Sequence, residues 1–147
     1  MEDTASPAIA LEALAILQET CLKLTQGQYM DLAYQDRDDL TPQEYWPMVS
    51  GKTAALLAAC SELGALVAGA EPVIREHYRK FGHHLGLAFQ AQDDLLGIWG
   101  NALVTGKSNE SDLAEGKKSL PVLYGVSMNG PFARRWKNGP IPVEDVS

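Results

Sequence analysis

Apolar residues recur every three or four positions along most of this chain, and that spacing limits its possible folds more than any other feature. One such series is Leu14, Leu17, Cys21 and Leu24. This is the period of an amphipathic α-helix that buries one stripe of its surface. No segment shows the sustained alternation of apolar and polar residues that marks a half-buried β-strand. The sequence therefore predicts an all-α protein.

Local signals set the ends of the predicted helices. Thr41, Pro42 and Glu44 mark a helix start, because threonine can cap, proline suits the first turn and glutamate completes a capping box. Pro47 is expected to break or kink that helix. Further helices are expected over residues 50–68, 72–99 and 120–127.

The stripe of the first helix turns polar at Gln28 and Asp31, which leaves two alternatives. Either the helix ends near Gly27, or its last turn reaches a wet cavity. Gly82 and Gly86 lie four residues apart on the 72–99 helix. They are expected to permit close contact with another helix.

Charge and cysteine content exclude several classes of protein. The 147 residues include 19 acids and 12 bases, a formal charge of −7, which argues against a surface that tracks nucleic-acid phosphates. Cys21 and Cys60 form neither a disulfide framework nor a zinc spacing. No apolar run is long enough to span a bilayer, and residues 1–7 lack the basic flank of a signal peptide. We expect a cytoplasmic protein with no membrane span and no nucleic-acid partner.

Asp93 and Asp94 are the strongest candidates for a metal site. They lie in an apolar run near the end of a predicted helix, and Gln90 precedes them by three and four residues, at one helix edge. Two carboxylates in such surroundings need a metal, a lysine or water, because an unpaired buried carboxylate is very costly. Oxygen ligands on a helix suit Mg²⁺. The alternative is an exposed acidic turn.

Lysines supply candidate phosphate contacts. Lys52 and Thr53 stand at a predicted helix start, where free N–H groups and the helix dipole favour phosphate. The alternative is a solvated lysine in the first turn. The segment Gly106-Lys107-Ser108 lacks the glycine that a P-loop requires five positions earlier. The three histidines have no metal-binding spacing, so a histidine-ligated metal is not expected.

In this order and spacing, the motifs of the chain resemble the trans-isoprenyl diphosphate synthase (polyprenyl synthetase) family. The resemblance extends from about residue 20 to residue 125, and its motifs are specific in combination although each is weak alone. The matching motifs are Gly27-Gln28-Tyr29-Met30-Asp31-Leu32, Lys52-Thr53-Ala54-Ala55-Leu56-Leu57, Gly86-Leu87-Ala88-Phe89-Gln90-Ala91-Gln92-Asp93-Asp94-Leu95-Leu96, Thr105-Gly106-Lys107, Asp112-Leu113 and Gly116-Lys117-Lys118-Ser119-Leu120-Pro121.

The resemblance implies a helical bundle of the isoprenoid synthase type and a prenyltransferase of isoprenoid biosynthesis. Such an enzyme condenses isopentenyl diphosphate with an allylic diphosphate, with Mg²⁺ as cofactor. Asp93 and Asp94 match the second aspartate-rich motif and would be the metal ligands, supported by Gln90. Lys52 and Lys107 would contact the allylic diphosphate, and these five residues form the implied catalytic set. The implied substrate-binding residues are Gln28, Lys52, Thr53, Phe89, Gln90 and Lys107, together with Lys117 or Lys118.

Two features depart from the family pattern. The second motif is D-D-x-x-D in the family, but Gly97 occupies its third acid position here. The first aspartate-rich motif and the basic patch for isopentenyl diphosphate have no match. We therefore expect about half of the full fold, with residues 1–128 as its central and C-terminal helices and residues 129–147 as a Gly/Pro-rich tail that packs little.

Two functions follow as expectations. The first is that the chain is a segment of a prenyl diphosphate synthase, and that it acts as a homodimer or pairs with the missing N-terminal half. The alternative is a catalytically incomplete homologue that binds prenyl diphosphate or pairs with a full-length synthase.

Overall fold

The computed structural model describes residues 6–100 and 112–142 of the chain. These residues form six α-helices and one π-helical segment, and they contain no β-strand. The helices are α1 Pro7–Gln35, α2 Pro42–Val49, α3 Ala55–Val67, α4 Pro72–Trp99, α5 Leu120–Ser127 and α6 Pro131–Trp136, and the π-helix is Ser50–Ala54. The predicted all-α class is confirmed, as are the helices over 72–99 and 120–127.

The chain divides into two compact units, which are described separately below. Unit 1 is Met1–Met30 with Met48–Ala88, and unit 2 is Asp31–Pro47 with Phe89–Ser147. In the part of the chain that the structure describes, no helix is long and apolar enough to cross a membrane. The predicted boundary at residue 128 stays a prediction.

Unit 1 is packed through small residues. The buried residues of the π-helix and α3 are Ala54, Ala55, Ala58, Ala59, Ala65 and Leu66. On α4, Gly82 lies against the backbone of Leu57, and Gly86 lies against Ala54. Residues this small let helix backbones approach each other closely. The expectation that Gly82 and Gly86 permit close helix contact is confirmed.

Helix α1 meets the π-helix at Gly27. A Cβ atom on Gly27 would overlap the backbone nitrogen of Lys52 and lie 2.6 Å from the carbonyl carbon of Gly51. The helix does not end there but continues to Gln35, so Gln28 lies within it. Of the two alternatives for this helix, an end near Gly27 is wrong.

The apolar residues that recur at helical spacing along α1 and α4 form a stripe on each helix, and both stripes are exposed, although such stripes are expected to be buried. Leu14 is 51% exposed and Trp99 is 67% exposed, whereas the buried positions of α1 are Thr20 and Gly27. The other exposed members of the two stripes include Leu17, Ile74, Tyr78, Phe81, Leu85 and Leu95. Amphipathic spacing indicates which face of a helix is apolar, but that face is buried only where another element packs against it. Within the described residues no element covers these two stripes.

Helix α2 begins as predicted but is not broken by Pro47. The Glu44 carboxylate accepts hydrogen bonds of 3.0 Å from the backbone N–H and the hydroxyl of Thr41, which is the glutamate half of the predicted capping box. Pro47 lies inside α2, which continues through Val49 directly into the π-helix and α3. Proline removes one backbone donor from a helix. Burial of Met48 and Val49 immediately after it outweighs that loss.

Unit 2 contains an apolar core built around Leu113, Val122 and Ile141. The partly buried residues packed against it are Ile98, Val126, Phe132 and Trp136. Phe132 and Trp136 of α6 stack at 5.8 Å between ring centroids, and the Ile141 N–H donates to the Leu113 carbonyl at 3.0 Å. The expectation that the tail packs little is therefore wrong for residues 131–141, because its aromatic and aliphatic side chains bury apolar surface.

The close approach at Gly27 predicts a stability effect. We expect Gly27→Ala to lower the free energy of unfolding by roughly 1–3 kcal/mol, because the added methyl group forces α1 away from the backbone of Lys52. Gly64→Ala is the matched control, since a Cβ on this exposed glycine of α3 meets nothing within 4 Å. It should raise stability by roughly 0.5–1 kcal/mol. Urea unfolding followed by circular dichroism measures both, and equal effects would contradict the packing at Gly27.

Candidate functional site

The Lys52 and Thr53 motif of unit 1 lies in the π-helix rather than at a helix start. The Ala55 N–H donates to the Ser50 carbonyl, which is the five-residue step of a π-turn, and helix precedes and follows this segment. The expected phosphate site at a free helix N-terminus is therefore wrong for Lys52. Irregular π-turns inside helices are often found at functional sites. Gln28 follows the glycine that contacts the backbone of Lys52, so the structure brings these two predicted segments together.

The Asp94 carboxylate is the most deeply buried acidic group in the described residues, with 2% of its surface exposed. Its Oδ2 atom accepts hydrogen bonds from the Tyr45 hydroxyl at 2.7 Å and from the Leu120 N–H at 2.8 Å. Its Oδ1 atom accepts from Nε2 of Gln90 at 2.9 Å. Three donors from α2, α4 and α5 therefore stabilise this buried charge.

These bonds give Asp94 a structural role. The Leu120 N–H is the first backbone donor of α5, and a negative charge at a helix N-terminus is favourable. Ser119 stands at the N-cap, but its side chain makes no capping hydrogen bond in the described part of the chain. Asp94 therefore takes over the capping of α5. Protein donors thus satisfy the buried Asp94 carboxylate in this structure, and its assignment as a metal ligand stays a prediction.

Tyr45 is a site residue that sequence reasoning missed. Burial raises the pKa of its phenol far above the ordinary value, and the hydrogen bond to Asp94 raises it further. Tyr45 therefore stays a neutral donor. Its partner is 49 residues away in the chain, and only the position of Tyr45 on the inner side of a well-capped short helix could have drawn attention to it.

Asp93 presents its carboxylate in a different direction. Neighbouring residues on an α-helix diverge by about 100°, so the side chains of Asp93 and Asp94 leave the helix in different directions. Asp93 is half-buried. Its charge acts on both Tyr45 and Lys117, which places it in the same electrostatic neighbourhood.

Lys117 is the basic group of this neighbourhood. Its Nζ atom lies 3.2 Å from both carboxylate oxygens of Asp112. Burial alone lowers the pKa of Lys117, but the carboxylate of Asp112, with those of Asp94 and Asp93, outweighs burial and raises it. The ammonium group therefore keeps its charge at neutral pH. For Asp112, burial raises the pKa despite the opposing effect of Lys117.

The two candidate lysines lie in different surroundings. Lys118 forms an ion pair with exposed Asp38 at 3.2 Å, whereas Lys117 faces the carboxylates. Phe89 is exposed at the start of the unit 2 part of α4. Lys107 lies outside the described residues. The acidic cluster, defined here as Asp93, Asp94, Asp112 and Lys117, is therefore the candidate site of unit 2.

The acidic cluster suits a cation that needs few protein ligands. Three carboxylates act electrostatically on one ammonium, so these four described groups together carry an excess of negative charge. In the described ranges, no three acidic, histidine or cysteine side chains are arranged to hold a metal ion by themselves. Mg²⁺ needs no such cage, because it keeps several waters and uses one or two carboxylates together with substrate phosphates. The residues therefore fit Mg²⁺ shared with a phosphate ligand.

Sequence comparison shows that the chain is similar to polyprenyl synthetases. A family model described as polyprenyl synthetase matches residues 3–138. A (2E,6E)-farnesyl diphosphate synthase of Mycobacterium bovis is 47% identical over 133 residues, which cover 90% of this chain and 37% of the relative.

Comparison with solved structures also finds prenyl diphosphate synthases. A crystal structure of a geranylgeranyl pyrophosphate synthase has a TM-score of 0.86 and 28% identity, and the match covers 99% of this chain and 44% of that one. A geranylgeranyl pyrophosphate synthase of Corynebacterium glutamicum, complexed with isoprenyl diphosphate and magnesium, has a TM-score of 0.83 and 26% identity over 96% of this chain and 42% of that one. The chain thus spans less than half the length of these proteins.

The bond between Tyr45 and Asp94 predicts a stability effect. We expect Tyr45→Phe to lower the free energy of unfolding by roughly 1.5–3 kcal/mol, because it removes a buried donor to a charged acceptor. Tyr124→Phe is the matched control, since Tyr124 is exposed and its change should stay within about 0.5 kcal/mol. Thermal unfolding with both variants checks this. A Tyr45→Phe protein as stable as wild type would rule out the bond.

Proposed function

Because the chain belongs to the polyprenyl synthetase family, we propose that it supplies the second metal motif of a Mg²⁺-dependent prenyltransferase. The reaction proposed for the complete site is condensation of isopentenyl diphosphate with an allylic diphosphate. The acidic cluster with its single lysine carries the proposal. The chain spans 37% of the length of its Mycobacterium bovis relative, so the reaction of the complete site needs further residues.

The proposed chemistry starts from the leaving group. Diphosphate departs poorly until its charge is neutralised, and a bound Mg²⁺ supplies that electrostatic stabilisation. Asp93 is the proposed metal-binding carboxylate, because its neighbour is already engaged by three protein donors. Asp94, the other predicted metal ligand, is proposed to attract the cation through its charge and to orient Asp93. Lys117 donates to the diphosphate oxygens through the N–H groups that remain beside Asp112.

The remaining predicted residues keep roles as proposals. Within unit 1, Lys52 is proposed to contact a diphosphate, with Gln28 and Thr53 beside it. Within unit 2, Gln90 supports Asp94 and Phe89 offers apolar surface to a prenyl chain. Lys107 is retained as a diphosphate contact. Lys118 is the weaker of the two lysines that follow Gly116, because its side chain is only 13% exposed, against 35% for Lys117.

A second function has a specific observation in its favour. Gly97 replaces the third acid of the motif. This departure favours a catalytically incomplete homologue that binds prenyl diphosphate or pairs with a full-length synthase. The exposed stripes of α1 and α4 support pairing, either as a homodimer or with a segment that supplies the rest of the fold. Cys21 and Cys60 are both free, which supports the proposed cytoplasmic location.

Metal and ligand titration tests the proposal. We expect the 147-residue chain to bind Mn²⁺, used as a paramagnetic substitute for Mg²⁺, and to bind it more tightly with a non-hydrolysable allylic diphosphate. Asp93→Asn should weaken Mn²⁺ binding by roughly tenfold or more with little change in Tm, because a direct ligand is lost. Electron paramagnetic resonance measures free Mn²⁺, and calorimetry measures the analogue.

Controls separate the possible results. Asp36→Asn removes the same charge from an exposed turn and should leave Mn²⁺ binding unchanged. An Asp93→Asn protein with wild-type Mn²⁺ affinity would refute the metal site. A condensation assay completes the test: we expect little or no turnover from this chain alone, because the complete site needs further residues, and turnover at the rate of a full-length synthase would contradict this.

A further inference from the structure

The third acid position of the motif is occupied by another carboxylate. A Cβ atom on Gly97 would lie 2.5 Å from Oδ2, 2.7 Å from Cγ and 2.9 Å from Oδ1 of Asp112. These three atoms are the nearest ones to that position. Real Cβ atoms do not approach other atoms so closely, so any side chain at position 97 would displace the Asp112 carboxylate. Gly97 and Asp112 are therefore sterically coupled.

Backbone hydrogen bonds fix Asp112 in this place. Its N–H donates to the Gly97 carbonyl at 3.0 Å, which ties it to the last turn of α4. Its own carbonyl accepts from the Lys117 N–H at 2.9 Å. Residues 112–117 therefore form a closed turn, and the hydrogen bond from Asp112 attaches this turn to α4. Within this turn, the Asp112 carboxylate contacts the Lys117 ammonium through both oxygens at 3.2 Å.

The position of the ammonium depends on this contact. A lysine side chain has several rotatable bonds and loses much rotamer freedom when it is held in one place. The Lys117 side chain is about one-third exposed, so the contact with Asp112 does not bury it completely. An ammonium has three donors, and a single carboxylate does not use all of them.

We propose that Asp112 is the positioning residue for Lys117 and that Gly97 is the residue that makes room for it. Glycine at the third acid position thus directs the lysine of the acidic cluster toward a diphosphate group. This inference rests on the proposed function only in naming diphosphate as the ligand of Lys117. The contacts of Gly97, Asp112 and Lys117 are independent of it.

The first experiment tests the steric coupling without any ligand. In the wild-type background, Gly97→Ala should lower Tm, because the methyl group collides with the Asp112 carboxylate. In an Asp112→Ala background, the same Gly97→Ala change should raise Tm, because alanine is the better helix former. Thermal unfolding of the four proteins measures both shifts. A rise in Tm in both backgrounds, or a fall in both, overturns the coupling.

The second experiment measures the position of Lys117 by its reactivity. Acetylation by an amine-reactive ester, followed by peptide mass spectrometry, reports each lysine separately in the whole chain. Both Asp112→Asn and Gly97→Ala should speed acetylation of Lys117 by roughly fivefold, the size expected for loss of a partly exposed ion pair. Lys118 is the internal control, since its partner is Asp38 and its rate should not change. Unchanged Lys117 rates in both variants overturn the proposal.

Protection by a ligand separates this proposal from the proposed function. Inorganic diphosphate with Mg²⁺ should protect Lys117 of the wild-type chain from acetylation. The concentration that gives half-protection should rise roughly tenfold in both variants, because the ammonium is no longer held toward the ligand. Equal half-protection in wild type and variants overturns the positioning role alone. No protection of wild-type Lys117 overturns the assignment of diphosphate to it, and the proposed function with it.

Discussion

The buried carboxylate of Asp94 is the interaction on which the candidate site of unit 2 depends. A charge that is 2% exposed persists only if donors replace the water it has lost, and here they come from Tyr45, Gln90 and the first N–H of α5. One group therefore fixes the start of α5, the inner side of α2 and the last turns of α4. The orientation of Asp93 follows, because adjacent helix residues diverge by about 100°. The metal-binding role proposed for Asp93 therefore depends on the hydrogen bonds that hold Asp94 in place.

Local signals predicted the parts of the fold that local interactions determine. The capping residues Thr41 and Glu44 predicted the start of α2, and Pro72 and Gly100 bracket α4 as expected. The contact between Tyr45 and Asp94 could not be predicted in this way, because 49 residues separate its partners and neither residue has a spacing that points to the other. Likewise, Pro47 predicted a break, but burial of the residues that follow it keeps the segment helical.

A chain with a formal charge of −7 is expected to repel an anionic ligand, and the Mg²⁺ proposed for the acidic cluster would remove that repulsion. Sequence reasoning found Asp93, Asp94 and the two lysines by their motifs but could not rank the lysines, because Lys117 and Lys118 are adjacent. Their partners distinguish them: Lys118 pairs with exposed Asp38, and Lys117 pairs with Asp112 beside the other carboxylates. Asp112 itself belongs to a matching motif, yet its role depends on a contact with α4 that no local pattern encodes.

Glycine has the same physical role at two positions that look unrelated in the sequence. At Gly27 the missing side chain admits the backbone of Lys52, and at Gly97 it admits the carboxylate that holds Lys117. In each case a lysine predicted to bind phosphate depends on the absence of a Cβ atom on a neighbouring helix. Gly97 therefore need not be a defect of the aspartate-rich motif. An aspartate there would add a carboxylate but displace Asp112, and Lys117 would lose the partner that fixes its ammonium group.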